Sequence, residues 1–136
     1  MADVVVDASV WVSRLVPSDV HRERCRDWFE ARSAIGDLIV SPVLLLPDVS
    51  RAISRRTGRP GLARRAVELL QEVSLLRLVS VDPTLARLAA QLAADHALRG
   101  AHAVYAATAQ QLGLSLVTLD SEQLERAQAV VSTISP

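Results

Sequence analysis

The chain has 136 residues, half of them hydrophobic but only 3% aromatic, enough for one domain over residues 1–136 with a core of Val, Leu, Ile and Ala. Its 15 basic residues balance 15 acidic ones, which excludes a strong overall field that would draw it onto nucleic acid. Every basic residue is arginine and Cys25 is the lone cysteine; P-loop hydrolysis, Schiff-base chemistry and a disulfide framework are thereby excluded.

In chain order, the β-branched run "DVVVD" at 3–7 predicts a buried strand closed by an acid. Helical spacing follows over 9–15 and 18–34, with Trp11, Trp28 and Phe29 as large core candidates. "DLIVS" at 37–41 predicts a second strand. Ser41-Pro42 reads as an N-cap and first helical position, opening a helix that Pro47 kinks or restarts and that runs through "DVSRAISRR". "TGRPG" at 57–61 breaks this helix, and "LARRAVELLQEV" supplies its antiparallel partner.

"LLRLVSV" at 75–81 predicts a third strand, and Asp82-Pro83 caps the helix "PTLARLAAQLAADHAL", which Gly100 ends with left-handed tolerance. A helix over about 101–112 leads through Gly113 to the strand "LSLVTL". Asp120 and Gln123 form a capping pair for "SEQLERAQ", and a short strand "AVVST" closes the pattern. Strands alternating with helices predict a parallel sheet covered on both faces. The start "MADVVVDAS" lacks the charged, long apolar pattern of a secretion signal, and no apolar run approaches a membrane span. A cytoplasmic protein with no membrane partner is the expectation.

In such sheets ligands bind beyond the carboxyl ends of the strands. Asp7 ends the first strand, Asp120 follows the fourth, Asp48 lies early in a helix reached from the second, and His102 opens the helix before the fourth. Right-handed crossovers carry these loops to one edge, so three carboxylates and an imidazole converge. An acid after three valines is costly if buried unpaired, and clustered carboxylates call for a divalent cation of the Mg²⁺ or Mn²⁺ type. Each has a plainer reading: Asp120 as an N-cap, Asp48 as a first-turn acid, His102 as an ordinary residue at a helix start. Asp82 is read as a cap alone. His21 and His96 are read as solvated, and Cys25 as a core filler.

The stretches "VVVDASVWV", "SPVLLLPDVSRAISRR", "LRGAHAVYAATAQQLG" and "LVTLDSEQLERA", in this order over nearly the whole chain, resemble the PIN-domain family, in particular VapC-type toxins of bacterial toxin–antitoxin pairs. The resemblance implies a parallel five-stranded sheet with helices on both faces. It also implies an endoribonuclease that depends on Mg²⁺ or Mn²⁺, forms a homodimer and is inhibited by a small VapB-like antitoxin. By the same resemblance, Asp7 and Asp120 match the family's first and last acids. Asp48 stands where glutamate is usual, and Ser9 and Thr118 match supporting hydroxyl positions. His102 stands where the family usually has aspartate. The expected site thus holds three acids rather than four, and imidazole favours zinc, nickel or copper over Mg²⁺.

Arg51, Arg55, Arg56, Arg59, Arg64 and Arg65 fall within fifteen residues. They read either as a solvated face or, through Arg51, Arg55, Arg56 and Arg59, as a contact for RNA phosphate or an acidic antitoxin segment. Two functions stay open: a ribonuclease toxin, weakened or not by His102, and a catalytically impaired PIN scaffold that binds a protein or RNA. A receiver-like phosphate acceptor is disfavoured by the missing lysine. A Rossmann nucleotide site lacks its glycine fingerprint after the first strand.

Overall fold

Val4, Val5 and Val6 form the middle strand of the sheet, and all three side chains are buried, as three consecutive β-branched residues covered on both faces must be. The computed structural model describes residues 2–136. Strands β1 (Val4–Val6), β2 (Ile39–Pro42), β3 (Leu76–Val79), β4 (Ser115–Val117) and β5 (Thr133–Ile134) form one sheet. Its order is β3-β2-β1-β4-β5 and every pairing is parallel, with Val5 opposite Val40 on one side and Leu116 on the other. Chain order reverses direction between β1 and β4. That is the switch point where a crevice opens at the carboxyl edge of such sheets.

The helices described are α1 (Ala8–Leu15), α2 (Arg22–Ile35), α3 (Leu45–Thr57), α4 (Pro60–Gln71), α5 (Pro83–His96), α6 (Gly100–Leu112) and α7 (Ser121–Arg126). They bury Val10, Leu45, Ile53, Leu70, Leu85 and the alanine face of α6 against the sheet; each aliphatic side chain removed from water contributes about 1.5–3 kcal/mol. Trp11 is buried and stacks at 4.3 Å on Phe29, with Trp28 edge-on to Phe29 at 5.1 Å. Trp28 and Phe29 are only half-buried. The α3–α4 turn uses Gly58 at φ 66, a left-handed conformation glycine adopts without strain.

Several boundaries depart from the sequence expectation. The second helix starts at Arg22 rather than near 18, because Pro17 and an Asp19 carboxylate accepting the His21 N–H make a turn of residues 16–21. Ser41 and Pro42 do not open a helix: both belong to β2, and the Ser41 hydroxyl donates to the carbonyl of Val6. The helix starts at Leu45 instead. Pro47 falls within its first turn, where a missing N–H removes no helical bond, and the helix continues without a restart.

Gly100 does not end α5. The left-handed cap is Ala97 at φ 53, and Gly100 is the first residue of α6. At the last strand, residues 127–129 form a 3-10 turn and only Thr133–Ile134 pair with β4. There the Gln128 side chain accepts from the Thr133 N–H and donates to its carbonyl, holding the turn against the strand.

Candidate functional site

Each strand end at the switch point delivers one acid by a local device. Asp7 leaves β1 in an extended conformation and caps α1, its Oδ1 accepting the Ser9 N–H at 3.0 Å and the Ser9 hydroxyl. Its Oδ2 accepts the hydroxyl of Thr118, which directly follows β4. Ser9 Oγ in turn accepts the Leu119 N–H at 2.9 Å, and Thr118 Oγ1 accepts the Asp120 N–H at 3.0 Å. Two hydroxyls therefore stitch the ends of β1 and β4 together around one carboxylate. Asp7 is 2% exposed, and burial pushes its carboxyl from the ordinary 3.8 up to about 6. The Ser9 and Thr118 hydrogen bonds and the nearby His102 imidazole offset only part of that rise.

Asp120 caps α7 through Oδ1, which accepts the Gln123 N–H at 2.9 Å. The plain capping reading of Asp120 is therefore correct for one oxygen. The other, Oδ2, stands 3.8 Å from His102 Nε2. The reciprocal half of the expected capping pair is absent: the Gln123 side chain turns away, and its Nε2 donates to the His102 carbonyl at 3.0 Å. Gln123 is fully buried and fastens α7 to the first turn of α6. His102 Nδ1 is buried without a hydrogen-bond partner among the described residues.

Asp48 lies in the first turn of α3, where its Oδ2 accepts the Tyr105 hydroxyl at 3.0 Å. Tyr105 is 1% exposed, and burial, then the Asp48 charge, push its hydroxyl far above the usual tyrosine range. Sequence reasoning passed over Tyr105. Its signal was the three-residue spacing from His102, which puts both on one face of α6.

Asp7, Asp48, His102 and Asp120 line a single cleft of about 350 Å³ together with Ser9, Tyr105 and Arg56. Among the described residues no three His, Cys, Asp or Glu side chains approach closely enough to hold one ion directly. The carboxylates therefore ring the cleft rather than forming a ready coordination shell. A larger hollow of about 420 Å³, lined mainly by apolar groups between Trp11, Phe29 and Leu70, holds none of the four.

The arginines separate. Arg56, two turns beyond Asp48 on α3, lines the acidic cleft and pairs with Asp19 at 2.7 Å. Arg59 lines a neighbouring hollow. Arg51 and Arg55 are exposed and line neither. Arg65 pairs with Glu68 one turn on. His21 is exposed, His96 half-buried and Cys25 fully buried.

A parallel sheet ordered β3-β2-β1-β4-β5, with acids delivered to one cleft at its switch point, defines an α/β domain whose acidic site sits at the carboxyl edge of the sheet. The PIN domain family model matches residues 4–129, and the chain belongs to that family. Among solved structures, the VapC20 toxin of Mycobacterium tuberculosis, which cleaves the sarcin–ricin loop, is similar at TM-score 0.76 and 16% identity, over 88% of this chain and 92% of that one. The DNA-bound VapBC of Salmonella typhimurium is similar at TM-score 0.71 and 16% identity, over 99% and 98%. FitAcB from Neisseria gonorrhoeae is similar at TM-score 0.69 and 22% identity, over 98% and 96%. These likenesses are of fold. No curated protein sequence matches the chain significantly.

Proposed function

We propose that the protein is a metal-dependent endoribonuclease of the VapC toxin type, neutralised by a cognate VapB-like antitoxin. The observation that carries this reading is the convergence of Asp7, Asp48, Asp120 and His102 on one cleft at the switch point. Membership of the PIN family and the likeness of the fold to toxin structures support it.

The donor set, rich in carboxylate oxygens, fits a hard divalent cation such as Mg²⁺ or Mn²⁺. Three carboxylates line one cleft, and oxygen donors are the ligands such hard ions prefer. Asp7, Asp48 and Asp120 would hold it, with His102 beside Asp120. Such an ion supplies an activated water and charge stabilisation for phosphodiester hydrolysis. Ser9 and Thr118 orient the Asp7 carboxylate, accounting for three of its roughly four acceptor sites. Tyr105 holds one oxygen of Asp48 and leaves the other free.

The arginine-rich turn contributes contacts to RNA or to an acidic antitoxin segment, with Arg51, Arg55, Arg56 and Arg59 as candidates. The antitoxin would cover the cleft, an arginine or lysine reaching Asp7 or Asp120. The resemblance extends this reading to a homodimer. Cytoplasmic action is in keeping with a described chain in which no helix is long and apolar enough to cross a membrane.

The second reading, a catalytically impaired scaffold, draws on the imidazole at 102 and on the lack, among the described residues, of three acidic or imidazole side chains close enough to share one ion. One assay separates the two: RNA cleavage with Mg²⁺, with Mn²⁺ and with a chelator. Cleavage that requires the ion and disappears in Asp7→Asn supports the nuclease. RNA left intact under all three conditions, with RNA binding retained, supports the scaffold.

A further inference from the structure

The cleft poses an electrostatic problem for the substrate that its function requires. Three carboxylates line it, while Arg56 is its one arginine among the described residues. Asp48, Ala52 and Arg56 recur at four-residue spacing along α3, so all three fall on one helix stripe and Arg56 stands at the far end from Asp48. Beyond Arg56 lies a second hollow of about 410 Å³, lined by Val16, Pro17, Ser18, Thr57, Arg59 and Leu62, with Arg56 shared between the two. That volume lies in the range of about 300–1,000 Å³ common to small-ligand sites.

The shared wall is a held arginine. Arg56 donates to Asp19 of the α1–α2 turn at 2.7 Å; its side chain is 44% exposed, and that of Asp19 only 8%. The pair fixes the guanidinium at the boundary of the two hollows and leaves part of it open to solvent. Arg59, one residue past the glycine turn, is exposed and adds a second cation on the far side.

We propose that the hollow beyond Arg56 is a subsite for the RNA nucleotide next to the one cut, with Arg56 and Arg59 taking its flanking phosphates and Pro17 and Leu62 receiving its ribose and base. This rests on the ribonuclease reading. A strand entering an acidic cleft needs cations where it leaves, and arginine meets phosphate with a planar fork of donors. No aromatic side chain lines this hollow, so the base rests on an aliphatic floor and the subsite tolerates any base rather than selecting one by stacking.

The test measures binding, in an Asp7→Asn background with Mg²⁺ so that the strand stays whole. The probe is a labelled pool of randomised single-stranded RNA of about 12 nucleotides, within the ~4–16-nucleotide footprint of single-strand sites. Arg56→Ala and Arg59→Ala are each expected to weaken binding about 3–10-fold and to lower the slope of log affinity against log salt by about 0.7. Asp19→Asn, which frees Arg56 from its acid, is expected to bind equally or more tightly. Arg59→Ala leaves the Arg56–Asp19 pair intact, so it decides the matter if Arg56→Ala fails to fold.

Equal loss in Asp19→Asn and Arg56→Ala with an unchanged salt slope would make the pair a structural strut and overturn the subsite. So would arginine variants that keep RNA affinity but lose binding to an oligoglutamate peptide, which would assign the hollow to an acidic protein segment. Failure of the parent protein to bind any RNA would overturn the ribonuclease reading itself, and the subsite with it.

Discussion

His102 holds its Nε2 3.8 Å from Asp120 Oδ2, too far for a hydrogen bond, while its buried Nδ1 meets no partner among the described residues. An imidazole whose buried Nδ1 has no partner and whose Nε2 faces a carboxylate in an acidic cleft is available as a ligand. If it is a substituted ligand, His102→Asp completes a four-acid ring. Mg²⁺ affinity and Mg²⁺-supported cleavage should both rise by about tenfold, roughly 1.4 kcal/mol of added ion attraction. Isothermal titration and an RNA cleavage assay check this. Equal affinity and equal cleavage in the two proteins would remove His102 from the site.

The Asp7 carboxyl predicts a pH-dependent stability. Its folded-state pKa, raised from 3.8 to about 6, means that the native state prefers the protonated form. The group costs no stability below the unfolded value, and the cost grows as pH rises from about 4 through about 6. In chelator-treated buffer Asp7→Asn should therefore be more stable than the parent above about pH 7, by up to about 3 kcal/mol. The difference should shrink as the solution is acidified. Urea unfolding at a series of pH values measures it; a pH-independent gap would mean that burial of the charge is not its source.

Tyr105 gives a third expectation. Tyr105→Phe keeps the buried ring and removes the hydroxyl held by Asp48. It should cost about 1 kcal/mol in stability. Cleavage should fall more than the fold does, because Asp48 loses the contact that orients it. Asp48→Ala should be the more damaging for the fold, since the buried Tyr105 hydroxyl then loses its acceptor, at about 1–3 kcal/mol. Thermal unfolding of the two variants orders them, and the reverse order would contradict the pairing.

The acids and the sheet were legible because their signals are local. Three valines before Asp7, and caps at Asp82 and Asp120, declare themselves within a few residues. What was misread depends on distant partners. Ser41-Pro42 carries a helix-start signature, yet β2 runs through it because the Ser41 hydroxyl is claimed by Val6 of the adjacent strand and β3 pairs alongside as far as Val79. Gln123 has the spacing of a reciprocal cap, but the His102 carbonyl, 21 residues away in sequence, takes its donor. Gly100 reads as a stop because glycine is the usual left-handed cap, whereas Ala97 adopts that conformation. Of the six clustered arginines, composition gave no means to single out Arg56. Only the turn that presents Asp19 places it at the cleft.

The central claim, that Asp7, Asp48 and Asp120 together hold one divalent cation, is tested most directly by titrating Mn²⁺ into the parent protein and into single Asp→Asn variants. Binding can be followed by the loss of the free-ion paramagnetic resonance signal. Asp82 serves as the control, since its carboxylate only caps α5 through the Leu85 N–H at 2.8 Å, a role asparagine fills nearly as well. The expected result is a Mn²⁺ site in the parent and in Asp82→Asn that is weakened at least about tenfold in Asp7→Asn, Asp48→Asn and Asp120→Asn, equivalent to about 1.4 kcal/mol or more. Identical Mn²⁺ binding in all five proteins would contradict the shared centre, and with it the nuclease built on it.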